Sequence, residues 1–488
     1  MVFSSPIFLF AFLPLVLAGY YLLDRRFKNG FLLITSLLFY AWGEPDFVFV
    51  MVGSILVNHG FALAIDRNLN HAEQLAQFTT KGRYQKRAKV YLWLSILFNL
   101  ALFFVYKYLD FTISNINRIG SIFGVQEVPL RHIALPIGIS FFTFQAMSYV
   151  FDVYLRRGEV QRNPLNTALY ISLFPQLIAG PIVRYETVAS EINHRCETLE
   201  DFARGVRRFI LGLAKKSVLA NCFAVLADHA FNYTDFSQLS VLMAWIGAVA
   251  YTLQIYFDFS GYSDMAIGLG LMFGFHFNEN FNYPYISKSV SEFWRRWHIS
   301  LSSWFRDYVY IPLGGSHVKS RSHHIRNLFV VWLLTGIWHG AAWNFVIWGM
   351  FYFVLITFEK LSGIPQKLKN PIGRYVYQGA TMTAVILGWV IFRANGARNG
   401  LNYIFCMFGL MGNPGTDVAA QFLMRQSAVL FAAGVLFSTP ILSKLCKAGG
   451  HLNLVKEAVS VVMFLVLFLI GASFTVTSTY NPFIYFNF

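Results

Sequence analysis

The chain is short of charge. Asp, Glu, Lys and Arg make up 13% of its 488 residues, about half of the roughly 25% found in soluble globular chains. That shortage excludes an ordinary soluble enzyme. With 56% hydrophobic residues it also excludes disorder, which needs low hydrophobicity and dense charge. Acids are scarcer than bases, 24 against 39, for a net charge of +15. Cysteine is scarce as well. Cys196, Cys222, Cys406 and Cys446 form no C-x-x-C pair, which suggests buried small hydrophobes and neither a zinc ribbon nor a disulfide framework. There is no P-loop, no H-E-x-x-H and no G-x-S-x-G elbow, the nearest text to the last being Gly261-Tyr262-Ser263-Asp264-Met265. No repeat of 20–50 residues and no low-complexity linker is visible.

What is present is apolar length. Residues 2–23, 47–65, 90–106, 132–151, 165–183, 239–257, 327–358, 375–392, 426–443 and 458–488 contain no Asp, Glu, Lys or Arg. Several match the ~20 residues of a bilayer-crossing helix. Shorter apolar pieces at 29–43, 217–227 and 399–416 read as half-spans or interrupted helices. The expectation is an all-α polytopic membrane protein with roughly 10–12 transmembrane or re-entrant helices. It forms a single domain over 1–488, with 474–488 as a C-terminal tail at the outer face.

Lys and Arg concentrate in 24–30, 66–89, 154–163, 195–216, 288–326, 360–374 and 444–456, which hold 32 of the 39. Cytoplasmic loops carry such an excess, so these segments are expected inside, and topology explains the charge without nucleic acid. Residues 2–23 lack the basic start of a cleavable signal and are followed by Arg25, Arg26 and Lys28, which places the N-terminus outside. The last apolar run follows Lys456 and Glu457 and brings the C-terminus near the outer face.

Two stretches are interrupted. LFPQLIAGPIVR carries Pro175, Gly180 and Pro181, and YTLQIYFDFSGYSDMAIGLG carries Asp258 and Asp264. Broken backbone at membrane depth persists only inside protein or beside water, and intramembrane carboxylates usually face a cavity. A polar cavity within the bundle follows. The alternative for each aspartate is a helix cap or a bond to a buried arginine. Gly268, Gly270 and Gly274 read as sites of close helix packing.

Two histidines stand out. His298 lies in SEFWRRWHISLSSWFRDYVYIPLGG, where aromatics and arginines alternate as in an interfacial helix. His339 lies in LLTGIWHGAAWNFVIWG, with Gly336, Gly340, Ala341 and Ala342 leaving room for a long substrate. Histidine is the usual base near neutral pH. Either ring could instead be structural, bonded to a backbone carbonyl. No carboxylate spacing accompanies them, so no metal site is expected. His323 and His324 sit in a basic loop and are expected to be solvated.

FDFSGYSDMAIGLGL, EFWRRWHISLSSWFRDYVYIPLGG and GIWHGAAWNFVIWG closely resemble the membrane-bound O-acyltransferase family. Within it they are similar to the branch of the alginate O-acetyltransferase membrane subunit, as are VFSSPIFLFAFLPLVLAGYYLL, LPIGISFFTFQAMSYVFDVY and FPQLIAGPIVR. The likeness spans most of residues 1–400. It implies helices around a central funnel, with acyl donor entering from the cytoplasm and acceptor from outside. It implies His339 as general base or proton shuttle for attack of a hydroxyl on an acyl thioester. His298 would orient the donor or polarise its carbonyl, and Trp294, Arg295 and Arg296 would shape the donor entrance. The donor would be acetyl-coenzyme A or an acyl carrier thioester, with no tightly bound cofactor. The final acceptor would be an extracytoplasmic polysaccharide such as alginate, reached through an extracytoplasmic acetyltransferase partner from the bacterial inner membrane. The ending FTVTSTYNPFIYFNF is similar to that of the small membrane subunit of teichoic acid D-alanylation. The likeness implies that Tyr485 relays the acyl group, whereas the aromatics themselves suit an interface anchor. D-alanyl transfer to teichoic acid, acetylation of peptidoglycan or cellulose, and a proton-coupled transporter are the competing functions.

Overall fold

A computed structural model describes residues 1–74, 78–318, 320–442, 444 and 454–477. The described elements are helical, without a strand among them. Eight helical stretches are long and apolar enough to cross a membrane: Phe47–Gln74, Lys81–Phe123, Leu199–Phe231, Val241–Met272, Trp343–Ser362, Pro371–Arg393, Val418–Phe437 and Glu457–Thr477. The expected all-α, multi-pass architecture is therefore found, with shorter helices making up the rest of the apolar sequence. The chain divides into two compact units, residues 1–206 with 266–278 and residues 207–265 with 279–488.

In the first unit, α1 (Leu13–Leu22), α2 (Arg25–Ala41) and α3 (Phe47–Gln74) precede α4 (Phe78–Phe103), which runs through a π-turn into α5 (Leu109–Gly120). They are followed by α6 (Ile139–Tyr154), α7 (Pro164–Ser172), α8 (Phe174–Leu177) and α9 (Tyr185–His194). Helix α3 packs on α4 and α6. Paired amides join α3 to α4: Asn99 Nδ2 donates to Asn58 Oδ1 at 2.7 Å, and Asn58 Nδ2 donates to Asn99 Oδ1 at 3.1 Å. Such side-chain pairs hold helices together where lipid removes the hydrophobic drive. The 165–183 stretch breaks where its prolines said it would. The Asn163 side chain caps α7, whose first residue is Pro164, and α8 lasts four residues. The non-helical backbone that follows is buried, as the lack of hydrogen-bonding partners in hydrocarbon requires.

The second unit holds the second half of α10 (Leu199–Ala214), α11 (Asn221–Phe231) and the bulk of α12 (Val241–Met272). Next come α13 (Val290–Arg296), α14 (Ile299–Phe305), α15 (Arg321–His339), α16 (Trp343–Ser362) and α17 (Ile364–Lys367). Helices α18 (Pro371–Arg393), α19 (Ala397–Met407), α20 (Val418–Phe437) and α21 (Leu454–Thr477) complete it. The charge-free 327–358 stretch is two helices broken at Gly340–Ala342. Helix α13 is anchored by a carboxylate from α16: Glu359 accepts from Val290 N at 2.7 Å and Ser291 N at 2.8 Å.

Residues 199–216, within a segment expected on the cytoplasmic side, form the first part of the continuous helical stretch Leu199–Phe231. Their charges are neutralised in place. Arg208 and Lys215 reach Asp264 at 2.9 and 2.6 Å, and Lys216 reaches Asp258 at 2.6 Å with both side chains almost fully buried. Asp264 thus binds a half-buried arginine together with a lysine, close to the alternative raised from sequence, whereas the partner of Asp258 is a buried lysine and no arginine. Small residues allow the approach, since a Cβ on Gly212 would sit 2.5 Å from the Gly261 carbonyl oxygen.

Helices α15 and α16 meet backbone to backbone. A Cβ at Gly336 would lie 2.6 Å from the Phe345 carbonyl oxygen, and one at Gly349 would lie 2.5 Å from that of Trp332. Neither obstacle is a side chain that can turn aside. Gly336→Ala is therefore expected to lower stability by about 1–3 kcal/mol, the usual cost of overpacking. A lowered thermal transition of the purified protein is the check, and an unchanged one contradicts the contact.

Candidate active site

His339 is the last residue of α15, and the chain leaves the helix there in extended conformation at Gly340. A Cβ at Gly340 would collide with the Phe345 ring, so the break needs that glycine for space. The imidazole is buried in an aromatic box. Trp338 lies 4.9 Å away, Trp348 5.0 Å and Phe392 5.1 Å, each edge to face. The negative end of the α15 dipole lies at this residue and stabilises the imidazolium formed when a base takes a proton. Asn344 closes the corner by donating to the carbonyls of Phe392 and Ala394 at 3.2 and 3.3 Å.

His298 stands at the joint of α13 and α14 with a left-handed backbone, φ 44°. A non-glycine residue in that region costs about 1–3 kcal/mol and persists only where its surroundings impose it. Here the neighbouring segment does so: Ile299 N donates to Asn280 O, and Asn282 N to Arg296 O, both at 2.9 Å. The Asn280 side chain then fixes the ring. Its Oδ1 accepts from Ser300 N at 3.1 Å and lies 3.2 Å from His298 Nδ1. A backbone N–H can only donate, so that atom is the amide oxygen and Nδ1 must carry the proton. Nε2 therefore holds a lone pair, buried and without a hydrogen-bond partner among the described residues. Burial also pushes the His298 pKa down to about 3, so the ring is neutral at physiological pH. Trp338 links the two histidines, 6.1 Å from the His298 ring and 4.9 Å from that of His339.

The proposed entrance residues separate. Trp294 and Arg295 line a cavity of about 260 Å³ whose wall includes Trp332 and Thr335. Thr335 lies one helical turn before His339 on the same face of α15. Trp294 packs at 4.9 Å on Trp332 and at 5.5 Å on Trp348, which in turn touches His339. Arg295, Arg306 and Lys360 supply the cavity's positive charge; Arg306 is bound to Asp307 at 2.7 Å. Arg296 points elsewhere, to Glu292 at 2.9 Å and the Asn282 carbonyl at 3.1 Å. Tyr485 lies outside the described residues. Sequence reasoning missed Asn280, Asn344 and Glu359. Their one signal is an amide or carboxylate within or beside an apolar motif, where a buried polar group needs partners.

Residues 157–370 match the family described as MBOAT, membrane-bound O-acyltransferase family. The chain is also 43% identical over 410 residues to the probable alginate O-acetylase AlgI of Pseudomonas aeruginosa, covering 84% of this chain and 75% of that protein. The chain belongs to the membrane-bound O-acyltransferase family. It is therefore a multi-pass membrane enzyme that transfers acyl groups. Two further relatives differ in acceptor by name. It is 33% identical to the peptidoglycan O-acetyltransferase of Helicobacter pylori over 100% of this chain and 98% of that one. It is 32% identical to the teichoic acid D-alanyltransferase of Bacillus subtilis over 46% of this chain and 60% of that one. Within this membrane-bound O-acyltransferase, both histidines and the cavity residues fall inside the matched stretch 157–370.

The tautomer generates a prediction. Asn280→Asp places a carboxylate against His298 Nδ1–H and favours the imidazolium, which has no lone pair. The wild-type ring stays neutral from pH 5 to 8. In the variant its pKa rises, so activity is expected to fall as the pH drops below neutrality, with a new acid limb in the pH–rate profile. A profile superimposable on wild type contradicts the assignment.

Proposed function

We propose that the protein transfers an acetyl group from a cytoplasmic thioester across the bacterial inner membrane for O-acetylation of an extracytoplasmic polysaccharide such as alginate. The observation that carries this reading is the 43% identity over 84% of the chain to a protein named as an alginate O-acetylase. The peptidoglycan acceptor is the second reading, favoured by the relative that aligns over the whole chain.

The geometry supports a route for the reaction. Arg295 and Lys360 attract the phosphates of coenzyme A, or of an acyl carrier's prosthetic arm, at the cavity mouth. The thioester end reaches past Trp294 and Trp332 toward the face of α15 that bears His339. His339 takes the proton of an acceptor hydroxyl, whose oxygen attacks the thioester carbonyl. A C–O bond forms, the C–S bond breaks, and the departing thiolate takes the proton back from the imidazolium. The lone pair on His298 Nε2 suits orienting an N–H or O–H of a substrate; polarising a carbonyl would need a donor there. Tyr485 is the proposed relay: its phenol oxygen would take the acetyl first, and an extracytoplasmic acetyltransferase partner would carry it to the sugar.

His339→Ala is expected to lower polymer acetylation by about 10²–10⁴-fold, the range for a general base, without loss of membrane insertion. Acetyl analysis of alginate and peptidoglycan from a deletion strain complemented with each form is the measurement. Full acetylation by the variant excludes His339 as the base. Acetyl lost from peptidoglycan alone selects the second reading.

The cavity mouth gives a separate expectation. Replacing Arg295 and Lys360 together by Gln should raise KM for acetyl-coenzyme A by about 3–10-fold and leave kcat within about 2-fold, because those charges act on a part of the donor remote from the bond that breaks. A fall in kcat with KM unchanged contradicts that placement.

A further inference from the structure

The basic ends of α3 and α4 enclose an open groove of about 1400 Å³ in the first unit, lined by residues given no role above. Four cations line it: Arg67 from α3, and Arg83, Lys86 and Arg87 from α4. None of the four has a carboxylate within ion-pair distance among the described residues. The acids closest in sequence are taken elsewhere. Asp66 and Glu73 both bind Arg156, at 2.7 and 3.1 Å. The positive charge of the groove is therefore left uncompensated among the described residues.

The rest of the lining is graded. Tyr84 lies among the cations, with His71 at 5.5 Å from its ring and Arg87 at 5.6 Å. Toward the middle of α3 and α4 the groove turns apolar at Leu63, Val90 and Leu94, all exposed. Arg87 and Leu94 are seven residues apart, about 10 Å along the helix. Cations at the interface, an aromatic ring beside them and apolar side chains one headgroup deeper reproduce the profile of a phospholipid. A soluble phosphate or an acidic protein would have no use for the apolar end.

We propose that this groove binds an anionic phospholipid of the cytoplasmic leaflet, with its phosphate among Arg67, Arg83, Lys86 and Arg87 and its chains along Leu63, Val90 and Leu94. Four cations match two phosphates better than one, so cardiolipin should bind more tightly than phosphatidylglycerol. The inference does not depend on the acyl acceptor proposed above, and its test does not read acyl transfer as its main result.

The test is native mass spectrometry of the purified full-length protein titrated with cardiolipin, phosphatidylglycerol or phosphatidylcholine. Cardiolipin is expected to bind at least ~10-fold more tightly than phosphatidylcholine, with phosphatidylglycerol between them. Joint replacement of the four cations by Gln should remove that preference, while joint replacement of Lys367, Lys369 and Arg374, exposed cations of another basic segment, leaves it intact. Arg67→Gln and Arg87→Gln alone should each weaken cardiolipin about 2–5-fold, which serves should the fourfold variant not fold. Changing Arg67, Arg83 and Arg87 to Lys should retain binding. Equal affinity for the three lipids, or an unchanged preference in the single and fourfold variants, overturns the proposal. So does displacement of cardiolipin by equimolar pyrophosphate, which would mark a site for free phosphate. A saturable complex with an acidic carrier protein that depends on the same four cations, without lipid preference, also overturns it.

Discussion

Hydrocarbon offers no hydrogen bonds, and much of this molecule follows from that constraint. A helix can end inside a membrane protein only where neighbouring protein takes over its loose backbone groups. The second unit ends helices in its interior at several points, and at each one a specific group takes over. Glu359 caps the start of α13, Asn344 takes the carbonyls at the end of α18, and Asn280 binds the chain at the start of α14. The break at Gly340–Ala342 is held from the side, by the backbone contact of Gly336 with Gly349 and by the ring of Phe345.

The same constraint shapes the chemistry. A neutral imidazole is cheap to bury and a charged one is not. His298 is held in one tautomer by an amide oxygen, which gives it a direction without a charge. His339 sits at a helix end whose dipole would favour a positive charge on the ring, with aromatic edges packed around it. Trp338 and Trp348 serve as shared walls, one between the histidines and one between His339 and the cavity beneath Trp294.

Much of this was legible in the sequence. Low charge and apolar runs gave the membrane class, Pro175 and Gly180 the broken segment, and the motifs around His298 and His339 the candidate site. What escaped has a physical reason in each case. Arg208, Lys215 and Lys216 read only as part of a basic segment because a sequence scan weighs each charge alone, whereas Asp258 and Asp264, some 40–60 residues on, pair with them. Arg295 and Arg296 read alike because they are adjacent. On a helix, neighbours diverge by about 100°, so one faces the cavity and the other its own helix at Glu292. Asn280 was invisible because its value lies in a partner 18 residues away, brought near by a loop.

The central claim is that acyl transfer at His339 links the two sides of the membrane. Its most direct test is sidedness in sealed vesicles containing the purified protein, with labelled acetyl-coenzyme A on the side of the basic loops and an oligosaccharide acceptor, with the extracytoplasmic transferase, enclosed on the other. Label on the enclosed acceptor is the predicted result, at a rate that falls to background with His339→Gln. Label confined to the donor side, or transfer undiminished in the variant, would contradict it.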